Sequence, residues 1–207
     1  MEGITILFTL IVLLFSIIIH EIAHGGVAYY LGDPTAKHAG RLTLNPLKHL
    51  DPFGSVLVPL FLFLLTAGKG PIFGWTKPVP INPYNFRDQK WGTLKVSIAG
   101  PLSNFLIAVI FSLAIRFLSL NLIFTTLFSI IAFYNFAWGI FNLIPIPPLD
   151  GYHILFAFLP QRFWRFKDFL KQYSLFFLLI FIFFGLRLLF LGAVILYSLI
   201  SGQPLVF

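Results

Sequence analysis

His20-Glu21-Ile22-Ala23-His24 places two imidazoles four residues apart with a carboxylate beside the first. On an α-helix this spacing puts both rings on one face, one turn apart, where they can share a single metal ion. Glu21 is then suited to take a proton from water attacking at that ion, which is the chemistry of zinc-assisted hydrolysis. With five histidines in 207 residues, the chance of meeting this pattern anywhere in the chain is about 0.001. The chain has no cysteine, so no thiolate is available and the metal must be held by His, Asp or Glu.

A hydrolytic zinc site usually has three protein ligands and one open position. The candidates for the third ligand are His38, His49, Asp51, Asp150 and His153. The tract from Asn142 to Asp150-Gly151 ends a long apolar helix with a proline-broken stretch and places a carboxylate there. An acid in such a setting needs a partner, which makes Asp150 the best third ligand. His153 follows three residues later and can share its helical face. His38 and His49 lie in a polar loop and are expected at its surface or at an interface, with His49-Leu50-Asp51 a turn beside the site.

The elements that must carry these groups follow from composition. The chain is 58% hydrophobic and only 10% charged, with mean hydropathy +0.93 and 27 phenylalanines. A water-soluble domain carries about a quarter charged residues, so the expected class is an all-α polytopic membrane protein with about four to six transmembrane or re-entrant helices. The apolar runs are too long for strands and lack the alternation of a barrel. Ile4 to Leu31 is the first span, expected to be retained rather than cleaved as a signal peptide. Ser55 to Ala67 is short, contains Pro59 and suits a re-entrant segment. Val96 to Leu120 and Leu122 to Ile146 read as an antiparallel hairpin of spans. Tyr173 to Leu199 reads as one tilted span or as two pieces hinged at Gly185, with Arg187 near its middle. Arg41 to Asn45 alternates as a strand would, and Trp75 to Asn85, rich in proline, reads as an extended segment near the site. The whole of 1–207 is expected to be one domain, with a catalytic core over about 4–159 and a C-terminal helical segment over about 160–207.

The HExxH pattern in the first long span, Gly100-Pro101-Leu102-Ser103-Asn104 early in a later span, and the Asn142 to Asp150-Gly151 tract together resemble the site-2 protease family of intramembrane zinc metalloproteases. The resemblance covers most of the chain up to about Leu159. It implies that His20, His24 and Asp150 bind one zinc ion, that Glu21 is the general base, and that Asn142 lines the site and helps to stabilise an oxyanion. Asn104 is a second candidate for substrate or oxyanion contact, or else a tie between helices. The chain lacks the inserted PDZ domain of some members. It has Leu149 between Pro148 and Asp150, where many members have Asn-Pro directly before the acid.

The resemblance implies a zinc metalloendopeptidase of a prokaryotic cell membrane that cleaves transmembrane proteins in the lipid bilayer. The alternative is a membrane metal-ion transporter or sensor built on the same His/Asp cluster. Nucleic acid is not an expected partner, because the 14 basic residues that give a net charge of +7 form no tract. The basic residues also set a topology. A shared ion puts His24 and Asp150 at one depth, so the chain between them crosses the membrane an even number of times. With Ser55 to Ala67 re-entrant, Lys37, Arg41, Lys48, Lys69, Lys77, Arg87, Lys90, Lys95, Arg162, Arg165, Lys167 and Lys171 fall on one side. Only Arg116 borders the opposite loop. The positive-inside rule makes the basic side cytoplasmic, with the site in that half of the bilayer.

Overall fold

The computed structural model describes residues 2–66 and 76–205. Helix α1, Glu2–Tyr30, is followed by the single turn α2, Thr35–His38, then by a π-helical turn over Pro52–Leu57 that leads into α3, Val58–Leu65. After the extended segment come α4, Gln89–Phe117, and α5, Leu122–Asn142. The chain ends with α6, Asp150–Phe158, α7, Trp164–Gln172, α8, Ser174–Ile180, and α9, Leu186–Ser201. Among the described residues four helical runs are long and apolar enough to cross a membrane: 3–30, 89–117, 122–142 and 174–201. At 1.5 Å per residue or less, the continuous helical run 52–65 reaches at most about 21 Å, short of the ~30 Å hydrocarbon core.

The first three spans pack through rows of small or polar residues. Val12, Ser16, His20, His24 and Ala28 form a buried i, i+4 row on α1, and Val96, Gly100, Asn104, Ala108 and Ser112 form another on α4. Small side chains let the two backbones approach closely, the main source of helix association where lipid is as apolar as the core. A second core joins Ala108 and Ile115 of α4 to Ala132, Phe133, Phe136 and Ala137 of α5 and to Leu189, Ala193 and Tyr197 of α9. The outward faces carry exposed Ile4, Leu7, Leu10, Leu102, Leu106, Ile110 and Ile123, a surface that requires lipid.

The last span settles the choice left by its sequence. Helices α8 and α9 are joined by a π-helical turn, Phe181–Gly185, into one continuous helical run. Helix α4 begins seven residues before the expected Val96, because Asp88 accepts the Trp91 backbone N–H and caps a start among polar residues.

The strand expected over Arg41–Asn45 does not form. Among the described residues β-pairing is limited to one antiparallel bridge between Leu50 and Thr76. Side chains satisfy the local backbone instead. The Asn45 N–H donates to Thr43 Oγ1, the His49 ring bonds the Thr43 carbonyl at 2.8 Å, and the Arg41 guanidinium donates to the Lys48 carbonyl. These bonds take the Asn45 N–H and the Thr43 carbonyl, groups that a ladder would otherwise use. The Trp75–Asn85 segment is extended from Thr76 to Asn82 and then makes a 3₁₀ turn over Pro83–Asn85. Ala67, Lys69 and Trp75 lie outside the described residues.

The extended segment is a strap across one end of the bundle. Asp33, fully buried at the end of α1, accepts the Asn82 backbone N–H at 2.7 Å, the Asn85 side-chain amide at 2.7 Å and the Thr35 N–H and hydroxyl. Phe86 packs with Ala28 and Val96, flanked by Ile81. The strap is thereby fixed to both α1 and α4.

Candidate metal centre

All the elements that carry the candidate residues meet at one end of the bundle. His24 and His20 lie six and ten residues before the end of α1, about 9 and 15 Å along it. The N-terminal half of α4, the C-terminal end of α5 and the first turn of α6 come to the same level. His20 Nε2 and His24 Nε2 are 3.0 Å apart, and Asp150 Oδ2 is 3.1 and 3.2 Å from them. Ligand atoms about 2.0 Å from a tetrahedral zinc ion stand about 3.3 Å apart, so the donor set fits one such ion.

The outer hydrogen bonds fix the direction of each donor. His24 Nδ1–H donates to the Val96 carbonyl at 2.7 Å. His20 Nδ1 is 2.7 Å from Asn104 Oδ1. The orientation of that amide is set by its nitrogen, which donates to the Ser16 carbonyl at 3.1 Å and to Asn135 Oδ1 at 3.0 Å. The Asn135 nitrogen donates in turn to the Ile131 carbonyl. Asn104 therefore presents an acceptor, His20 Nδ1 carries the proton, and both Nε2 atoms are left with lone pairs. Asp150 Oδ2, buried and without a hydrogen-bond donor, points at them. Three converging acceptors repel one another unless a cation lies between them.

Two glycines permit this approach. A Cβ on Gly100 would lie 2.4 Å from His24 Nε2 and 2.6 Å from His20 Cε1. A Cβ on Gly151 would lie 2.1 Å from the Leu143 carbonyl oxygen, so only glycine lets α6 start against the end of α5 and bring Asp150 in.

Beside the cluster is a cavity of about 280 Å³ lined by His20, Glu21, His24, Asn142, Asp150 and His153, together with strap residues Pro78, Val79, Ile81 and Pro83. Glu21 is partly buried there, and its Oε2 accepts the Val79 backbone N–H at 2.7 Å. Asn142 is buried in the wall and donates one amide hydrogen to the Trp138 carbonyl. Asn104 is fully buried behind His20, tying α4 to α1 and α5. His153 lines the cavity beside Asp150. Asp51 caps the turn after it by accepting the Phe53 and Gly54 N–H groups, and His38 is exposed. His49, expected at a surface or interface, is completely buried inside its own loop. Asn135, the Val96 carbonyl and the Val79 amide were not among the residues singled out from sequence. For Asn135 a signal existed, since an amide in the middle of an apolar span requires a partner.

The chain is a polytopic helical protein with spans apolar enough for a membrane and with three side chains, His20, His24 and Asp150, placed so that they could hold one metal ion. The chain matches the model of peptidase family M50, the site-2 proteases, over residues 118–185. YwhC of Bacillus subtilis (strain 168), assigned by name to the zinc metalloproteases, is 43% identical over 162 residues, covering 74% of this chain and 69% of the relative. Two proteins called Rip2, also assigned by name to the zinc metalloproteases, match as well. The one from Mycolicibacterium smegmatis is 31% identical over 69% of this chain and 53% of its own length. That from Mycobacterium tuberculosis (strain H37Rv) is 32% identical over 81% of this chain and 63% of its own length. No solved structure matches the chain. This chain belongs to the site-2 protease family and is a membrane metalloprotease.

Proposed function

We propose that the protein is an intramembrane zinc endopeptidase that hydrolyses peptide bonds within or next to the transmembrane segments of other membrane proteins. The observation that carries this reading is the convergence of His20 Nε2, His24 Nε2 and Asp150 Oδ2 beside Glu21 in one cavity. His20, His24 and Asp150 would hold one zinc ion, which when bound polarises a carbonyl and lowers the pKa of water. Glu21 takes the proton of the attacking water and delivers it to the leaving amine. The Val79 N–H engages one of its carboxylate oxygens, so the other is available for the proton. Asn142 keeps one amide hydrogen in its bond to Trp138 and has a second to offer to the oxygen of the reacting carbonyl. Asn104, acting through His20, keeps that ring in the required tautomer.

A substrate helix has its carbonyls tied up in its own hydrogen bonds, so it must unwind locally before attack. The basic residues beside the site favour a cytoplasmic opening through which water enters. The test is Glu21→Gln. The variant is expected to retain zinc but to lose cleavage of a membrane-anchored reporter, with uncleaved membrane fragments accumulating in cells. Retained cleavage, or unimpaired zinc flux across vesicles by the variant, would overturn the reading, the latter in favour of a transporter.

A further inference from the structure

The run 174–201 carries a charge that the metal centre does not use. Arg187 is the fourteenth of its 28 residues, with about 20 Å of helix on either side. Basic side chains near the ends of a span snorkel to the headgroups, whereas one at the middle of a bilayer of ~30 Å is costly unless paired. Arg187 is exposed on the outer face of the bundle, off the row Leu189, Ala193 and Tyr197 that packs against α4 and α5. Among the described residues, neither a carboxylate nor another hydrogen-bond acceptor engages it. It follows the π-helical turn Phe181–Gly185 by two residues, and single π turns inside helices are frequent at functional sites. Around it Phe183, Phe184, Leu188 and Leu191 are strongly exposed. This span is also the most open of the four, with 11% buried against 22, 33 and 44% for the others.

We propose that this face is a docking surface for a membrane-spanning helix that carries an aspartate or glutamate near the middle of the bilayer, paired with Arg187. The apolar residues around Arg187 supply the packing and the guanidinium supplies the selection, because a carboxylate in hydrocarbon is as costly as the arginine until the two meet. A second copy of this chain does not offer the acid. Glu21 is the one carboxylate within the four spans, and it is turned into the cavity and bonded to Val79.

The test uses the full chain, labelled with a donor fluorophore, in phosphatidylcholine vesicles at pH 8. It is titrated with acceptor-labelled leucine/alanine-rich single-span peptides bearing Glu, Gln or Leu at the central position. The Glu peptide is expected to associate about tenfold or more tightly than the other two. Arg187→Leu should remove that preference while leaving helical content and zinc binding unchanged, Arg187→Lys should keep part of it, and Arg187→Glu should transfer it to a peptide with central Lys. Equal association of the three peptides with the wild-type chain overturns the proposal without recourse to any variant. So does an Arg187→Leu protein that keeps the Glu preference, or Arg187-dependent pairing of two copies of the chain without peptide.

Discussion

At His20 the ring is set by a chain of amides that begins at the Ile131 carbonyl and passes through Asn135 and Asn104. Each amide has its nitrogen committed to an acceptor, so the last oxygen can only accept. Asn104→Ala removes that acceptor and leaves the imidazole free to change tautomer. We expect zinc affinity to fall 10- to 100-fold with helical content unchanged, measured by competition with a chromophoric chelator. Gly100→Ala should act more severely. Its methyl group would enter the space of both imidazoles, and loss of zinc binding together with activity is expected. A variant that bound zinc normally would mean that α1 and α4 can separate without cost.

The strap depends on one carboxylate. Burial pushes the Asp33 pKa up, but hydrogen bonds from Thr35, Asn82 and Asn85 outweigh it and hold the group below the usual carboxylate range. A depressed folded pKa contributes stability that is present above the unfolded value of about 3.9 and is lost as pH falls through the folded value. Asp33→Asn should therefore lower Tm at neutral pH, and the difference from wild type should shrink as pH is taken below about 4. A difference independent of pH down to 2.5 would show that the ionised carboxylate contributes nothing. Because the same strap supplies the Val79 N–H to Glu21, Asp33→Asn is also expected to reduce kcat although Asp33 does not line the cavity. Hydrogen exchange at Val79 and Ile81 should rise in parallel.

Over the whole molecule, the three candidate metal ligands come from α1 and α6, which the α4–α5 hairpin holds at one level. On the proposed topology α4 and α5 supply the two crossings between His24 and Asp150. Single cysteines at Lys37 and Lys90 should react from the same side of the membrane, and one at Asn121 from the other. The absence of native cysteine makes the labelling direct. Lys37 and Lys90 on opposite sides would be incompatible with a shared ion. Removing the ion with a chelator should also lower Tm, because a ligand that binds only the folded state at 100 times its Kd adds about 2.7 kcal/mol. Restoring zinc should restore Tm and activity together.

Periodicity and cost explain what could be read from the sequence. The i, i+4 histidines, the glutamate between them and the carboxylate after a broken apolar helix are local patterns. The membrane class follows from hydropathy alone, because an apolar run long enough to span has no other stable setting. The choice among His38, His49, Asp51, Asp150 and His153 was narrowed by the same cost argument, and only the packing of α6 against the end of α5 brings Asp150 to within about 3 Å of both rings. The tautomer of His20, the burial of His49, the missing strand at Arg41–Asn45 and the strap's hold on Glu21 were not legible. Each depends on hydrogen bonds to groups that are distant in sequence or that compete for the same backbone, and a linear pattern carries no record of which partner wins. The sequence determined which groups can do chemistry and that they lie among membrane spans. The tertiary structure decided which of them meet and in what orientation, because a hydrogen bond or a ligand distance is fixed only when two helices are packed.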